Sequence, residues 1–438
     1  MLNEADAALA AADSRLPGLA AMLDEAQLQA CLRTLPGLEA LASASVRDLR
    51  YVPQVGCSAT VHAQLNNGER TLLAVKALPR SALAQAWTRQ KRWSPRGRGT
   101  VDSAQRIDAD ALLVLRPRHD PRLRALPRLC QRAARSRLLH KLLPELAASE
   151  LAELRLHPRH YRPEHCFVAG MESPDGKHEH RALGVLHAAG AANFNDMLRA
   201  AQYAKALGRA KVLGTDVGLQ LVATVDGPGR ALQIDASGLP SMSMMRALGR
   251  ALAAVHDSGL LHPVLRRPHD EAGVLTSALR ELQALAPALA RGVPAQAGAL
   301  GSRVAQQLVL LPWEARMIHG DFSISSALAE DDEIHLRNWE QAATGDVHFD
   351  LGSLAARLEL HSIAVAGTAE TAAAAFEHFI DAYAAARGRA PDATALRIHT
   401  AAALLRLVGE PFRTRGPRWP QRIERLLARA SVLSGAAA

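Results

Sequence analysis

The stretch Met317-Ile318-His319-Gly320-Asp321-Phe322-Ser323 constrains this chain more than any other part of it. Residues Pro312 to Met317 read as a short approach strand, and the polar turn after it puts one glycine and one carboxylate in a loop. Two more groups follow, Arg337-Asn338-Trp339-Glu340 and Gly345-Asp346-Val347-His348-Phe349-Asp350-Leu351. Taken alone, His319-Gly320-Asp321 is an ordinary loop with a turn glycine. The spacing of the two later groups makes it a candidate site.

The order and spacing of the three groups resemble the active-site region of the aminoglycoside-phosphotransferase and choline-kinase-like family, relatives of the protein kinases. The family pattern there is HGDxxxxN, then a hairpin ending in a D-W-E turn, then GDxxxDL. The resemblance implies an α+β fold of two kinase-like lobes and a reaction that uses ATP and Mg²⁺. It implies that Asp321 orients and deprotonates an attacking hydroxyl, with His319 beside it as the second candidate catalytic residue. Asp346 and Asp350 match positions that brace the catalytic loop through backbone hydrogen bonds.

Two positions depart from the pattern. Ser326 stands where the family has Asn, and Asn338 stands where it has the metal-binding Asp. Phosphoryl transfer is mostly positioning plus neutralisation of phosphate charge by divalent metal. A hard ion such as Mg²⁺ takes anionic or carbonyl oxygens. Asn338 offers a neutral amide oxygen and Ser326 a hydroxyl on a shorter arm, so both would weaken ATP and Mg²⁺ binding. No residue is assigned here as a metal ligand. The acidic Asp331-Asp332-Glu333 sits between Leu328 and Ile334 and reads as a solvated turn.

Upstream, one unit is written twice. Leu49-Arg50-Tyr51-Val52-Pro53 leads to a turn near Gly56-Cys57, then Thr60 to Leu65, an Asn66-Asn67-Gly68 turn and Thr71 to Lys76. Alternating apolar positions around an Asn-Gly turn signal a β-hairpin. The second block repeats the order with Leu154-Arg155-Leu156, Tyr161-Arg162-Pro163, Cys166 to Ala169, a Pro174-Asp175-Gly176 turn and His180 to Leu186. Each block continues into a helix and an apolar strand, and each is similar to a kinase small lobe. In the resembled family the third strand carries a lysine that contacts the nucleotide phosphates. Lys76 matches it in the first copy, whereas Val185 aligns there in the second. The helix after Lys76 has no glutamate to pair with it, and neither copy has a G-x-G-x-x-G loop.

The C-terminal half is helical. Ser241 is a cap for a helix with Met245, Leu248, Leu252 and Val255 on one face, ending at Gly259. Its end resembles the family's LAxLHxxGL helix, and His256 reads as a packed structural residue. Further helices are expected over 368–387 and 392–408, with Phe412 and Trp419 anchoring the last one.

Composition sets outer bounds. With 438 residues, 48% hydrophobic and 22% charged, the chain has ample core for two or three domains. No apolar run reaches the ~18 residues of a membrane span, and the start lacks the order of a signal peptide. Four scattered cysteines, Cys31, Cys57, Cys130 and Cys166, suit a reducing cytoplasm and no zinc site. The net charge of +9 owes much to the arginines between Arg116 and Arg137. On one helix Arg124, Arg128 and Arg132 would share a face. Either they form a nucleic-acid or anionic-lipid patch or they are a solvated face, and the lack of interleaved aromatics disfavours nucleic acid.

The expected domains are a small-lobe-like duplicate over 1–148, a kinase-like small lobe over 149–228 and a large helical lobe over 229–438. Two functional readings stay open. One is a catalytically impaired pseudokinase-type protein that binds or regulates a partner. The other is an active ATP-dependent phosphotransferase acting on a small-molecule hydroxyl, with Asp321 as base. Lys76, Ser326 and Asn338 are the candidate cofactor-contacting positions.

Overall fold

The computed structural model describes residues 2–93, 104–174, 180–206, 210–226, 230–330 and 333–435. Asp175, Gly176, Asp331 and Asp332, which belong to two expected turns, lie outside them. The fold is α+β, arranged as two compact units. The first comprises Met1–Leu198, Val212–Val225 and Phe412–Arg415; the second comprises Arg199–Lys211, Asp226–Pro411 and Gly416–Ala438.

The first unit carries two five-stranded sheets of the same topology. One contains β1 (Leu41–Val52), β2 (Gly56–Leu65), β3 (Arg70–Ala77), β4 (Gln105–Ile107) and β5 (Leu112–Leu115), in the order β1-β2-β3-β5-β4. The other contains β6 (Arg155–Arg162), β7 (Cys166–Pro174), β8 (His180–Ala189), β9 (Ala210–Asp216) and β10 (Leu221–Asp226), in the order β6-β7-β8-β10-β9. In both, a helix follows the third strand, Arg80–Trp93 in one case and Ala191–Ala206 in the other. Period-two patterning gives each sheet a buried face. Ala74, Leu113 and Leu115 of the first sheet join Tyr161, Phe167, Leu186 and Leu221 of the second in one core. Helices Leu126–Leu129 and Arg132–Leu142 complete it with Leu126, Leu139 and Leu142.

Strand pairing corrects one expected equivalence. Tyr51 pairs with Cys57 and Cys57 with Ala77, while Tyr161 pairs with Phe167 and Phe167 with Ala188. Ala77 and Ala188 therefore correspond, and the counterpart of Lys76 is His187, not Val185. Two offsets add up: Cys57 holds the place of Phe167 rather than of Cys166, and β8 carries one extra residue, since Met171 faces Gly184 while the next residue, Glu172, faces Ala182. Sequence spacing does not count through such a bulge.

His187 is a poor phosphate partner for a different reason from valine. Burial, with the charge of Arg159 behind it, lowers its pKa to about 4, so the imidazole is neutral at pH 7. Unfolded, it titrates near 6.5, so below that pH the unfolded chain binds the extra proton. The stability it supports is therefore complete above about pH 6.5 and lost as pH falls towards 4. We expect urea denaturation of the His187→Leu variant to show a shallower decline over that window than the parent. Equal slopes would contradict the assignment.

The arginine stretch is also rearranged. The helix stops at Leu129 and a new one starts at Arg132, so Arg124, Arg128 and Arg132 do not share one helix face; Arg124 precedes the first helix and Arg132 opens the second. All three are exposed.

In the second unit, helix Met242–His256 begins at Ser241, whose side chain accepts from Met244 N, and buries Met245, Leu248, Leu252 and Val255. Gly259 follows with a φ of 72°. These residues share a core with Phe322, Trp339, Leu351, Phe379 and Tyr383. Helices Ala369–Arg387 and Ala393–Leu407 occupy the expected spans, the latter with Asp392 accepting from Ala395 N. Phe412 and Trp419 are both buried. No helix among the described residues is long and apolar enough to cross a membrane.

Candidate active site

The strand Arg316–Ile318 delivers the chain into the His319-Gly320-Asp321 loop. Gly320 has a φ of 83°, and a Cβ there would lie 1.8 Å from the Gln341 carbonyl oxygen. Glycine is thus required both by the left-handed backbone and by the close approach of the neighbouring turn.

Asp350 is the anchor of this loop. It is fully buried on helix Val347–Ala364, and it accepts from His319 N at 2.6 Å, from Gly320 N at 2.8 Å and from His256 Nε2 at 3.2 Å. Burial opposes its ionisation, but the hydrogen bonds from His256 and from the His319 backbone outweigh burial and hold the carboxyl below its usual range. His256 is buried too, with Nδ1 accepting from the Tyr383 hydroxyl at 2.7 Å. Asp346, by contrast, accepts from His348 N at 2.8 Å and from His348 Nδ1 at 2.7 Å as the cap of the same helix.

His319 is buried. Its Nε2 donates to the Arg337 carbonyl at 2.7 Å, which leaves Nδ1 to accept from Asp321 N at 3.4 Å. The ring also packs on Trp339, with centroids 4.9 Å apart. Its bonds are to backbone on both sides, so its place is that of a brace between the loop and the hairpin of strands Ala327–Glu330 and Glu333–Leu336.

Ser326 is buried, and its hydroxyl is engaged within the loop. It donates to the Asp321 carbonyl at 3.2 Å and bonds Ser323 Oγ at 3.0 Å. Asn338 is exposed and has a φ of 64°, a conformation that asparagine tolerates better than most residues. Trp339 beside it is buried and donates from Nε1 to the Leu336 carbonyl at 3.0 Å.

The Asp321 carboxylate is exposed, and Arg357 Nη2 donates to it at 2.6 Å. Asp350 and Arg357 are seven residues apart on one helix, hence two turns apart on one face. One secures the loop's backbone and the other meets its side chain. Sequence reasoning missed Arg357: the spacing sets it on the face of Asp350, but does not mark it as a partner of Asp321.

A cavity of about 210 Å³ opens beside Asp321, and Arg266, Arg357 and Arg406 line it. Glu271, buried on helix Pro268–Ala284, pairs with Arg266 and also with Arg406 Nη1 at 2.6 Å. The two guanidinium groups lie over the Phe349 ring at 3.9 and 4.2 Å from its centroid. Burial lowers the Arg406 pKa to about 10, which leaves it charged at pH 7.

Lys76 belongs to the first unit. Its ammonium pairs with Glu164, from the turn between β6 and β7, and Arg122 Nε lies 3.8 Å from the same carboxylate. Burial raises the Glu164 pKa, but Lys76 and Arg122 outweigh it and the carboxyl stays below its usual range. The partner missing from the helix after β3 is thus supplied by the second sheet. A cavity of about 700 Å³ adjoins the pair, lined by Val55, Gly56, Leu78, Leu115 and Arg162 among others.

The donor set near Asp321 does not fit a bound Mg²⁺. Asp321 is already paired to a guanidinium, Ser326 is turned into its own loop and Asn338 is neutral. Among the described residues no group of three His, Cys, Asp or Glu is placed to hold a metal ion.

This loop, hairpin and braced helix can be set beside known folds. The chain is similar to choline/ethanolamine kinases and aminoglycoside phosphotransferases. A choline/ethanolamine kinase family protein from Mesorhizobium loti matches at 19% identity and a TM-score of 0.44, over 64% of this chain and 87% of the other. Choline kinase LicA from Streptococcus pneumoniae matches at 13% identity and 0.45, over 65% and 96%. The GDP complex of wild-type aminoglycoside 2'-phosphotransferase-IIIa matches at 13% and 0.45, over 69% and 99%. No family model and no curated protein matches the sequence. The chemistry open to this chain is therefore read from its own residues.

Proposed function

We propose that this chain is a kinase-like protein impaired in metal-dependent phosphoryl transfer, and that it acts by binding or regulation. The observation that carries this reading is the Asp321–Arg357 pair at 2.6 Å, on a loop whose Ser326 hydroxyl is committed to Asp321's own carbonyl. While Arg357 donates to that carboxylate, the pair must part before the oxygen can accept from a substrate hydroxyl. With Asn338 neutral, ATP would bind weakly and with little help from Mg²⁺. The reading takes 1–148 as the small-lobe-like duplicate, 149–228 as the kinase-like small lobe and 229–438 as the large lobe. The four cysteines are free, which suits a reducing cytoplasm.

One observation favours the alternative, an active phosphotransferase acting on a small-molecule hydroxyl. Asp321 is exposed at a cavity, and Asp350 holds its loop as a working base would need. An exposed ion pair is worth roughly 0–1 kcal/mol, so a substrate could part Asp321 from Arg357. The test is to restore the metal set with Ser326→Asn and Asn338→Asp together. Our reading expects the double variant to gain Mg²⁺-dependent thermal stabilisation by ATP that the parent lacks. If the parent already shows it, and Asp321→Ala abolishes phosphate transfer to an acceptor, the alternative stands.

A further inference from the structure

The arginine stretch finds no use at Asp321, yet part of it lines a second cleft of the first unit. This cleft, of about 870 Å³, lies between one face of the first sheet and strand β6. Arg47 of β1, Arg70 of β3, Arg159 of β6, and Arg116 and Arg118 after β5 all face it. Among the described residues Asp48 is its only acidic lining residue, and Asp48 is bound by Arg50 and Arg162, each at 3.4 Å.

Arg47, Arg70, Arg116 and Arg159 pair with no carboxylate among the described residues. Arg159 is placed by the strand beside it. Its guanidinium lies across Gly170, where a Cβ would sit 2.8 Å from Nε. The floor is apolar, with Leu72, Tyr161 and Phe167. His62 and His160 also line the cleft, and burial lowers the pKa of each, so they stand as neutral hydrogen-bonding groups at pH 7.

We infer that this cleft binds a small molecule bearing two or more phosphate groups. Guanidinium groups match phosphate geometry with paired donors, and several of them around one cleft select for clustered negative charge. The volume is that of a small-molecule site. Its lining aromatics Tyr161 and Phe167 are buried in the core, so among the described residues no exposed phenyl or indole platform for stacking bases lies there. The site belongs to the first unit and is separate from the Asp321 cavity, so the two readings succeed or fail independently.

Calorimetric titration of the full chain with inorganic pyrophosphate tests this. We expect saturable binding with one equivalent, weakened at least tenfold by Arg70→Ala combined with Arg159→Ala. A charge-matched control, Arg124→Ala with Arg128→Ala, should leave it unchanged, and melting curves check that both variants fold. Absence of saturable binding overturns the inference, and so does an equal loss in both variants. Tighter binding of a single-stranded oligonucleotide than of pyrophosphate, lost in the same cleft variant, would also overturn it and assign the cleft to nucleic acid. The cleft variant further separates any ATP binding here from binding at Asp321.

Discussion

Asp350→Ala should be among the most destabilising single changes in the second unit, costing about 3–5 kcal/mol. The side chain is fully buried and satisfies two backbone N–H groups and one imidazole. Removing it strands three buried donors, each worth about 1–3 kcal/mol when left without a partner, with some relief from water entry. Asp350→Asn keeps one acceptor oxygen and should lose less than the alanine variant. Chemical denaturation followed by tryptophan fluorescence reads the difference, because Trp339 packs on His319. A loss below about 1 kcal/mol for Asp350→Ala would mean that the loop is held by something else.

The second large effect is expected at Glu271. Its carboxylate is buried between Arg266 and Arg406, and Arg406 is itself largely buried. Breaking a buried pair from one side leaves an uncompensated charge, which costs about 3–5 kcal/mol. Glu271→Ala should therefore destabilise far more than Arg357→Ala, whose pair with Asp321 is exposed. It should also disorder the arginine wall beside Asp321, since Arg266 donates to the Gly320 carbonyl at 3.1 Å and Arg406 to Ser353 Oγ at 3.1 Å. Replacing all three members, Glu271, Arg266 and Arg406, with apolar residues of similar volume should recover much of the loss. Failure of that triple variant to recover would point to packing on Phe349 rather than charge as the source of stability.

Much of this architecture was legible in the sequence because local rules and tertiary needs agree. The Asn66-Asn67-Gly68 turn, the Ser241 cap and the Gly259 stop each follow from backbone conformation, and each appears where expected. The Asp350 brace was legible from its resemblance to a known pattern, and burial supplies the physical reason for it. What was not legible depends on register or on partners far along the chain. Linear spacing sets Val185 against Lys76, but Cys57 holds the place of Phe167 and β8 carries an extra residue near Gly184, so His187 is the true counterpart. Glu164, 88 residues after Lys76, could not be linked to it by any local signal. Arg357 was within reach, since its helix position places it under Asp321, but nothing in the linear pattern marks an arginine there as a partner rather than a solvated side chain.

The central claim is that the Asp321 site does not use a divalent metal to hold a nucleotide. Calorimetric titration of the Arg70→Ala, Arg159→Ala double variant, which lacks the arginine cleft but keeps the Asp321 site unaltered, with ATP in the presence and absence of Mg²⁺ tests it most directly. The account predicts the same weak affinity under both conditions, within about threefold. An affinity at least tenfold tighter with Mg²⁺, a difference of about 1.4 kcal/mol, would contradict it and identify the protein as a metal-using kinase.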